Sequence, residues 1–312
     1  MPPEELRRLL PLRQGDVLTR EAVRAAIERL HATGQFDDLV VEAAPDGGGV
    51  LLRILTEPNW FVSSVRVVGV PEPPNTGQLV NATKLLLGQL FAPEDLEAAL
   101  ENLHRVLRLN GFYEARITPV TERVASTQEV NIVFQVEPGR RARFAPPVVT
   151  GAPDLSASEA ASAARWRRWW LLPGWREITE RRVQDGLERI RDTYRRSERL
   201  MASVRLKEMR YDPRTSSAAP VIAIDAGPAI QIRVSGANIS RAKLRELVPV
   251  YQEQSADTAL LLEGRRNIAE YLQGRGYFDA EATYTVTEEA GGRRVIEYTV
   301  ERGDRYKLVR LD

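Results

Sequence analysis

The phrase NGFYEARI at 110–117 returns as RGYFDAEA at 275–282, setting Gly111 against Gly276 and Phe112-Tyr113 against Tyr277-Phe278. A chain that says the same thing twice, 165 residues apart, is built from like units, and this restricts its fold more than any other feature. An earlier copy, ATGQFDDLVVEA, places Gly34 77 residues before Gly111, with Gln35-Phe36-Asp37 where Phe112-Tyr113-Glu114 stand later. Between the second and last copies, SERLMASVRL at 197–206 fits with Arg199 in the glycine's place. The expectation is four copies, the third with a different helix end.

Each phrase follows a stretch with helical spacing: Val23, Ala26, Ile27 and Leu30 in the first copy, and Leu96, Ala99, Leu100, Leu103 and Leu107 in the second. Intervals of three and four gather these residues into one apolar stripe. A glycine just beyond the stripe suits a left-handed cap, and the aromatic after it can fold back on the last turn.

After the phrase the period falls to two. Ala115 and Ile117, then Val130, Ile132, Phe134 and Val136, alternate with polar residues, as do Ala280, Ala282, Tyr284 and Val286, then Ile296, Tyr298 and Val300. These read as hairpins. A further alternating run follows each hairpin and ends on Gly69, Gly151 or Gly236, leading into a helix-starting segment such as NISRAKLRELVP. The unit is therefore strand, helix, helix, strand, strand, which predicts an α+β fold with two helices covering one face of a three-stranded sheet.

This unit resembles the POTRA (polypeptide-transport-associated) domain, whose β-α-α-β-β order and glycine-aromatic helix ending match the quoted phrases. The resemblance divides the chain into a module lacking its first strand at 1–57, modules at 58–138, 139–227 and 228–303, and the first strand of a following module at 304–312. Tandem arrays of this kind are similar to the periplasmic arms of outer-membrane assembly factors of the BamA/TamA type. The resemblance implies a periplasmic fragment, monomeric by itself, with a signal peptide upstream and a membrane β-barrel downstream in the parent. It implies unfolded outer-membrane proteins as clients, and accessory assembly lipoproteins or periplasmic chaperones as partners. The alternatives are the periplasmic region of a TamA-like translocation module or two-partner secretion transporter, or a docking protein of cell envelope or division.

In the family the first strand of the terminal hairpin lies at a sheet edge, where free N–H and C=O groups can pair with an extended chain. The corresponding segments here are 39–44, 114–122, 202–211 and 280–287. Their candidate binding residues are Arg116 and Thr118; Val204, Arg205, Leu206, Lys207, Met209 and Tyr211; and Glu281, Thr283 and Thr285. Pro119 lacks an N–H and blunts its strand as a template. In SVRLKEMRYD the inward parity slips between Leu206 and Met209, which predicts a bulge near Lys207-Glu208 and singles out this edge as the preferred docking strand.

Four of the five tryptophans fall in ARWRRWWLLPGW, interleaved with Arg165, Arg167, Arg168 and Arg176. Trp166, Trp169 and Trp170 stand at i, i+3 and i+4, so one helical face could bury them. A core role is assigned to Trp166 and Trp170, and a partner contact to Trp169 and Trp175. Lys+Arg number 44 against 43 Asp+Glu, so the net charge of +1 offers no general field for nucleic acid.

A catalytic site, a cofactor site and a metal site are not expected. There is no cysteine, and the two histidines, His31 and His104, stand on two equivalent helices with no nucleophile or cage around them. The three glycines at 47–49 and the pair at 291–292 lie in hairpin turns rather than phosphate loops. The N-terminus is charged from its fourth residue, and no run of about 18 apolar residues occurs.

Overall fold

A computed structural model describes residues 7–8, 10–168, 174–253, 255–289, 292–307 and 310. The chain divides into two compact units, Met1–Arg141 and Ala142–Asp312.

The first unit opens with α1 (Arg20–His31), started by Thr19, whose hydroxyl accepts from the Ala22 amide at 3.2 Å. Ala26 and Leu30 are its buried stripe. The strands β1 (Phe36–Asp46) and β2 (Gly49–Pro58) pair as an antiparallel hairpin. Then come β3 (Phe61–Val68), α2 (Thr76–Thr83), α3 (Pro93–Leu109), β4 (Arg116–Val124) and β5 (Glu129–Glu137). Helix α2 is fixed by a capping box in which Asn75 accepts from the Gln78 amide at 2.8 Å and Gln78 accepts from the Asn75 amide at 3.0 Å. The sheet order is β3-β5-β4, with β5 parallel to β3 and antiparallel to β4. Ala99, Leu103 and Leu107 on α3 close over Val130, Ile132 and Phe134 on β5. Each of the leucines, Val130, Ile132 and Phe134 contributes about 1.5–3 kcal/mol by leaving water.

The second unit repeats this order twice. First come β6 (Arg143–Phe144), β7 (Val148–Ala152), α4 (Ala157–Ala163), α5 (Glu180–Arg196), β8 (Ser203–Asp212) and β9 (Ser217–Asp225). Then follow β10 (Ile230–Ser235), α6 (Arg241–Leu247), α7 (Val250–Glu253), α8 (Thr258–Gln273), β11 (Glu281–Glu289) and β12 (Arg293–Glu301). In both sheets the last strand is central: β10-β12-β11 in one, and β9 between β8 and the parallel pieces β6 and β7 in the other. The break between β6 and β7 falls at Pro146-Pro147, which have no N–H to give. Pro220 of β9 stands opposite that break on one side and next to the β8 register shift on the other, so a proline is tolerated in a central strand because both neighbours yield there.

The glycines that end each leading strand answer to a close approach. A Cβ on Gly69, Gly151 or Gly236 would lie 2.2, 2.3 or 1.9 Å from the carbonyl oxygen of Val136, Ile224 or Val300, on the neighbouring strand. No side chain fits there, and each glycine also has a positive φ.

The helix-end motif is the same in three copies. The amide of Phe112 donates to the Leu107 carbonyl at 2.8 Å, Tyr277 to Leu272 at 3.2 Å, and Arg199 to Tyr194 at 2.9 Å. The preceding residue takes the left-handed conformation: Gly111 (φ 85), Gly276 (φ 94) and Glu198 (φ 62). This corrects the sequence register, since Glu198 and not Arg199 holds the glycine's place. Arg199 stands where the aromatic stands elsewhere, and its guanidinium bonds to Asp154 and to the Gly227 carbonyl instead of covering the turn. The carbonyl of the left-handed residue then receives the chain that follows the hairpin: Ile230 donates to Glu198 at 2.7 Å and Tyr306 to Gly276 at 2.9 Å.

The tryptophan segment does not continue as a helix through Trp166. Helix α4 stops at Ala163, Arg165 turns left-handed (φ 57), and the Trp166 amide closes back on the Ala161 carbonyl at 3.2 Å. Trp166 then enters a short ladder in which Arg176 donates to Trp166 at 3.0 Å and Arg168 to Gly174 at 2.8 Å. Its indole is 1% exposed, stacks on Phe144 at 4.9 Å and donates to the Arg182 carbonyl at 3.1 Å. Extended backbone lets the ring reach both partners. Trp169 and Trp170 lie outside the described residues.

Candidate functional site

In every sheet the first strand of the hairpin has a single hydrogen-bonded neighbour among the described residues: β1 pairs with β2, β4 with β5, β8 with β9 and β11 with β12. The edges anticipated from the sequence are therefore edges. Their outward rows differ in what surrounds them.

On β4, Arg116 and Thr118 are exposed, and Pro119 stands opposite Phe134 in the middle of the strand. On β8 the register shifts between Leu206 and Glu208, so Lys207 is the bulged residue. Val204 is buried, Leu206, Met209 and Tyr211 are half-buried, and Arg205 and Lys207 are exposed. The shift is what returns Met209 and Tyr211 to the inner face. One acceptor of β8 already has a partner, because Arg191 of α5 donates from Nη2 to the Val204 carbonyl at 2.8 Å. Arg191 and Arg195 also pair with Glu188, both near 2.8–2.9 Å, and Arg195 with Asp192 at 2.8 Å. Those bonds hold the Glu188 carboxyl below its ordinary range.

On β11, Glu281, Thr283 and Thr285 are exposed and Ala282 faces inward. Beside the strand runs a groove of about 820 Å³, walled by Ala259, Leu262, Ala269 and Gln273 of α8 and by Ala280 and Ala282, with Glu263, Arg265, Arg266 and Glu281 at its margin. Superposing the helix ends by their shared capping bond sets Leu272 on Tyr194 and hence Ala269 on Arg191. A methyl thus stands at the helix position from which the third copy sends a guanidinium onto its edge strand. Sequence reading from the strands alone missed this position, whose signal lies three residues before the helix end.

The same superposition sets Gly264 on Gly186 and both on Ala99, which is wholly buried. A Cβ on Gly186 would lie 2.3 Å from Trp166 Nε1, and one on Gly264 2.7 Å from Tyr298 Oη. Small residues here admit an aromatic beneath the helix. Of the two tryptophans expected to make contacts, Trp175 is half-buried with the Arg167 guanidinium 5.7 Å from its ring, and Trp169 lies outside the described residues. His104 is half-buried, and desolvation with a smaller contribution from Arg108 lowers its pKa, which favours the neutral imidazole. Among the described residues no group of histidines and carboxylates could hold a metal ion, and no helix is long and apolar enough to cross a membrane.

The profile of the POTRA family, described as "Surface antigen variable number repeat", matches residues 1–56, 61–139 and 230–303. The chain belongs to the POTRA family. Among curated relatives it is 25% identical over 190 residues to "Outer membrane protein assembly factor BamA" of Neisseria meningitidis serogroup B, covering 59% of this chain and 23% of the relative. It is 23% identical over 150 residues to the protein of the same name in Nitratidesulfovibrio vulgaris, covering 48% of this chain and 19% of that one. The chain therefore spans about a fifth of the length of these relatives. Among solved structures, POTRA3-5 of Haemophilus influenzae BamA aligns over 79% of this chain and 97% of that one, at 15% identity and a TM-score of 0.34. The POTRA profile passes over 140–229, the stretch that holds the arginine-tryptophan segment, the broken leading strand and the non-glycine helix ends.

Proposed function

We propose that this chain is a periplasmic, non-catalytic scaffold of four POTRA modules in an outer-membrane protein assembly factor. Its modules follow the divisions 1–57, 58–138, 139–227 and 228–303. It receives unfolded outer-membrane proteins as extended segments that add a strand to β11, and accessory lipoproteins or periplasmic chaperones at its other surfaces, with the parent β-barrel downstream. One observation carries the choice of edge: among the described residues β11 pairs with β12 alone and lies next to an open groove lined by Ala259, Ala269, Ala280 and Ala282 together with charged Glu263, Arg265, Arg266 and Glu281, whereas the carbonyl of Val204 on β8 is already engaged by Arg191. Main-chain pairing is nearly blind to side-chain identity, and small apolar residues in the groove accept the alternate side chains of an amphipathic strand. The names of the relatives above support the setting.

The test is titration with a peptide of alternating apolar and polar residues, of the kind found in barrel strands. Each pairing bond contributes about 1 kcal/mol, so N-methylating two amides on the pairing side weakens binding about tenfold to a hundredfold. Reordering the side chains while keeping the alternation leaves it within about threefold. A peptide that tolerates N-methylation but not reordering rules out the strand-addition reading.

A further inference from the structure

In the third copy, away from the edge strands, the stretch RWRRWWLLPGWR at 165–176 carries four arginines and no acid. Arg165, Arg167, Arg168 and Arg176 converge on a hollow of about 530 Å³, completed by Ala161 and Ser162. Among the described residues none of the four guanidiniums forms an ion pair, in a chain that holds 43 Asp and Glu to its 44 Lys and Arg. Some arginines of this unit have carboxylate partners, Arg191 and Arg195 in Glu188, Arg199 in Asp154 and Arg210 in Glu208; what sets these four apart is that they line one hollow together. Four cations gathered without a counter-charge repel one another, and an anion that enters the hollow relieves that repulsion.

The backbone beneath the hollow is fixed. Arg168 and Arg176 belong to the ladder held by the bonds to Gly174 and Trp166, and Arg167 is bridged to Trp175, over whose ring its guanidinium lies. The ladder is seated on the buried Trp166 indole, stacked on Phe144 and bonded to Arg182. Arg165 holds a left-handed φ of 57 that a glycine would adopt at no steric cost, and it directs a fourth charge to the same hollow. Guanidinium forks match planar pairs of oxygens. A carboxylate has only two oxygens for four forks, while a phosphate or diphosphate presents three or more.

We propose that this arginine hollow is a binding site for a phosphate-bearing ligand. The same chemistry is offered by a soluble phosphate compound and by an anionic lipid headgroup, and the two are told apart by experiment. Calorimetric titration of the full chain with inorganic pyrophosphate is expected to show binding that weakens steeply with added salt. Arg167→Gln with Arg168→Gln should reduce the affinity at least about tenfold, a loss of about 1.4 kcal/mol, and Arg167→Lys with Arg168→Lys should lose less. These side chains are exposed, so the melting temperature of the variants should stay with that of the parent. In a second arm the chain is sedimented with vesicles of phosphatidylglycerol or of phosphatidylcholine. Capture by the first alone, released by pyrophosphate and lost in the double Gln variant, supports the site with a lipid headgroup as its source. Pyrophosphate binding without vesicle capture supports it with a soluble source. Failure of both probes, or equal binding by the double Gln variant, overturns the proposal.

Discussion

The third and fourth repeats share one strand order and one helix-end bond, yet they treat their edge strands in opposite ways. Three residues before the carbonyl that closes the helix end, the third repeat carries Arg191, which reaches the Val204 carbonyl of β8, and the fourth carries Ala269, which leaves the groove beside β11 open. The third is also the repeat in which non-glycine residues occupy both left-handed helix ends, Arg165 and Glu198, and in which a tryptophan occupies the space beneath Gly186. The difference teaches that a repeated fold can keep its backbone while reassigning its surfaces: an open edge in one copy, an arginine-rich face in the other.

The largest expected break in this comparison is in the two cores. Trp166→Ala empties a stacked, hydrogen-bonded site and is expected to cost about 3–5 kcal/mol, read as faster hydrogen exchange of the β9 amides with β12 little changed. Gly186→Ala is expected to cost more than Gly264→Ala by the same measurement. A Cβ on Gly186 meets three atoms of the Trp166 ring within 2.9 Å, whereas on Gly264 it meets only the Tyr298 hydroxyl that closely, although that hydroxyl is itself bonded to the Leu261 carbonyl. A β9 sheet indifferent to both changes would separate the indole from the stability of the third repeat.

Next is a swap of the residues beside the edges. Ala269→Arg should weaken peptide binding at β11 about tenfold, and Arg191→Ala should raise binding at β8 from undetectable to weak, both read by peptide titration. If both variants bind like the parent, occupancy of the groove does not govern the edges.

The helix ends supply a smaller effect. Glu198→Gly should stabilise the third repeat by about 1 kcal/mol and Gly276→Ala should destabilise the fourth by a similar amount, read by urea unfolding. The smallest effect belongs to the second repeat. His104 has a pKa below its ordinary 6.5 because of burial, so the unfolded chain binds its proton first as pH falls. Stability is thus unaffected above the ordinary value and is lost as pH drops below it. His104→Gln should flatten that part of the curve of melting temperature against pH, and an unchanged curve would remove His104 as its source.

The strand order, the hairpins and the edges were legible because alternation and glycine-aromatic endings are local signals: Val130, Ile132 and Phe134 on β5 reveal their own period. The bulge at Lys207 was legible for the same reason, as a slip in parity. The helix end of the third repeat was not, because Glu198 adopts the left-handed conformation without being glycine, and the one-residue slip hid that Arg191 and Ala269 are equivalent. The helical face that the i, i+3, i+4 spacing offers is not the one Trp166 uses, because Arg165 closes a turn after Ala163 and the spacing is compatible with either arrangement. The arginine hollow depends on a short antiparallel ladder that pairs Arg167 with Trp175 and Arg176 with Trp166, a turn that residue spacing does not show.

The measurement that bears most directly on the open edge is residue-resolved amide exchange of the chain with and without a saturating strand peptide. Binding by strand addition predicts that alternate amides of Glu281–Glu289 slow markedly while those of Ser203–Asp212 keep their rates. Protection confined to β8, or binding with no protection on β11, would contradict it.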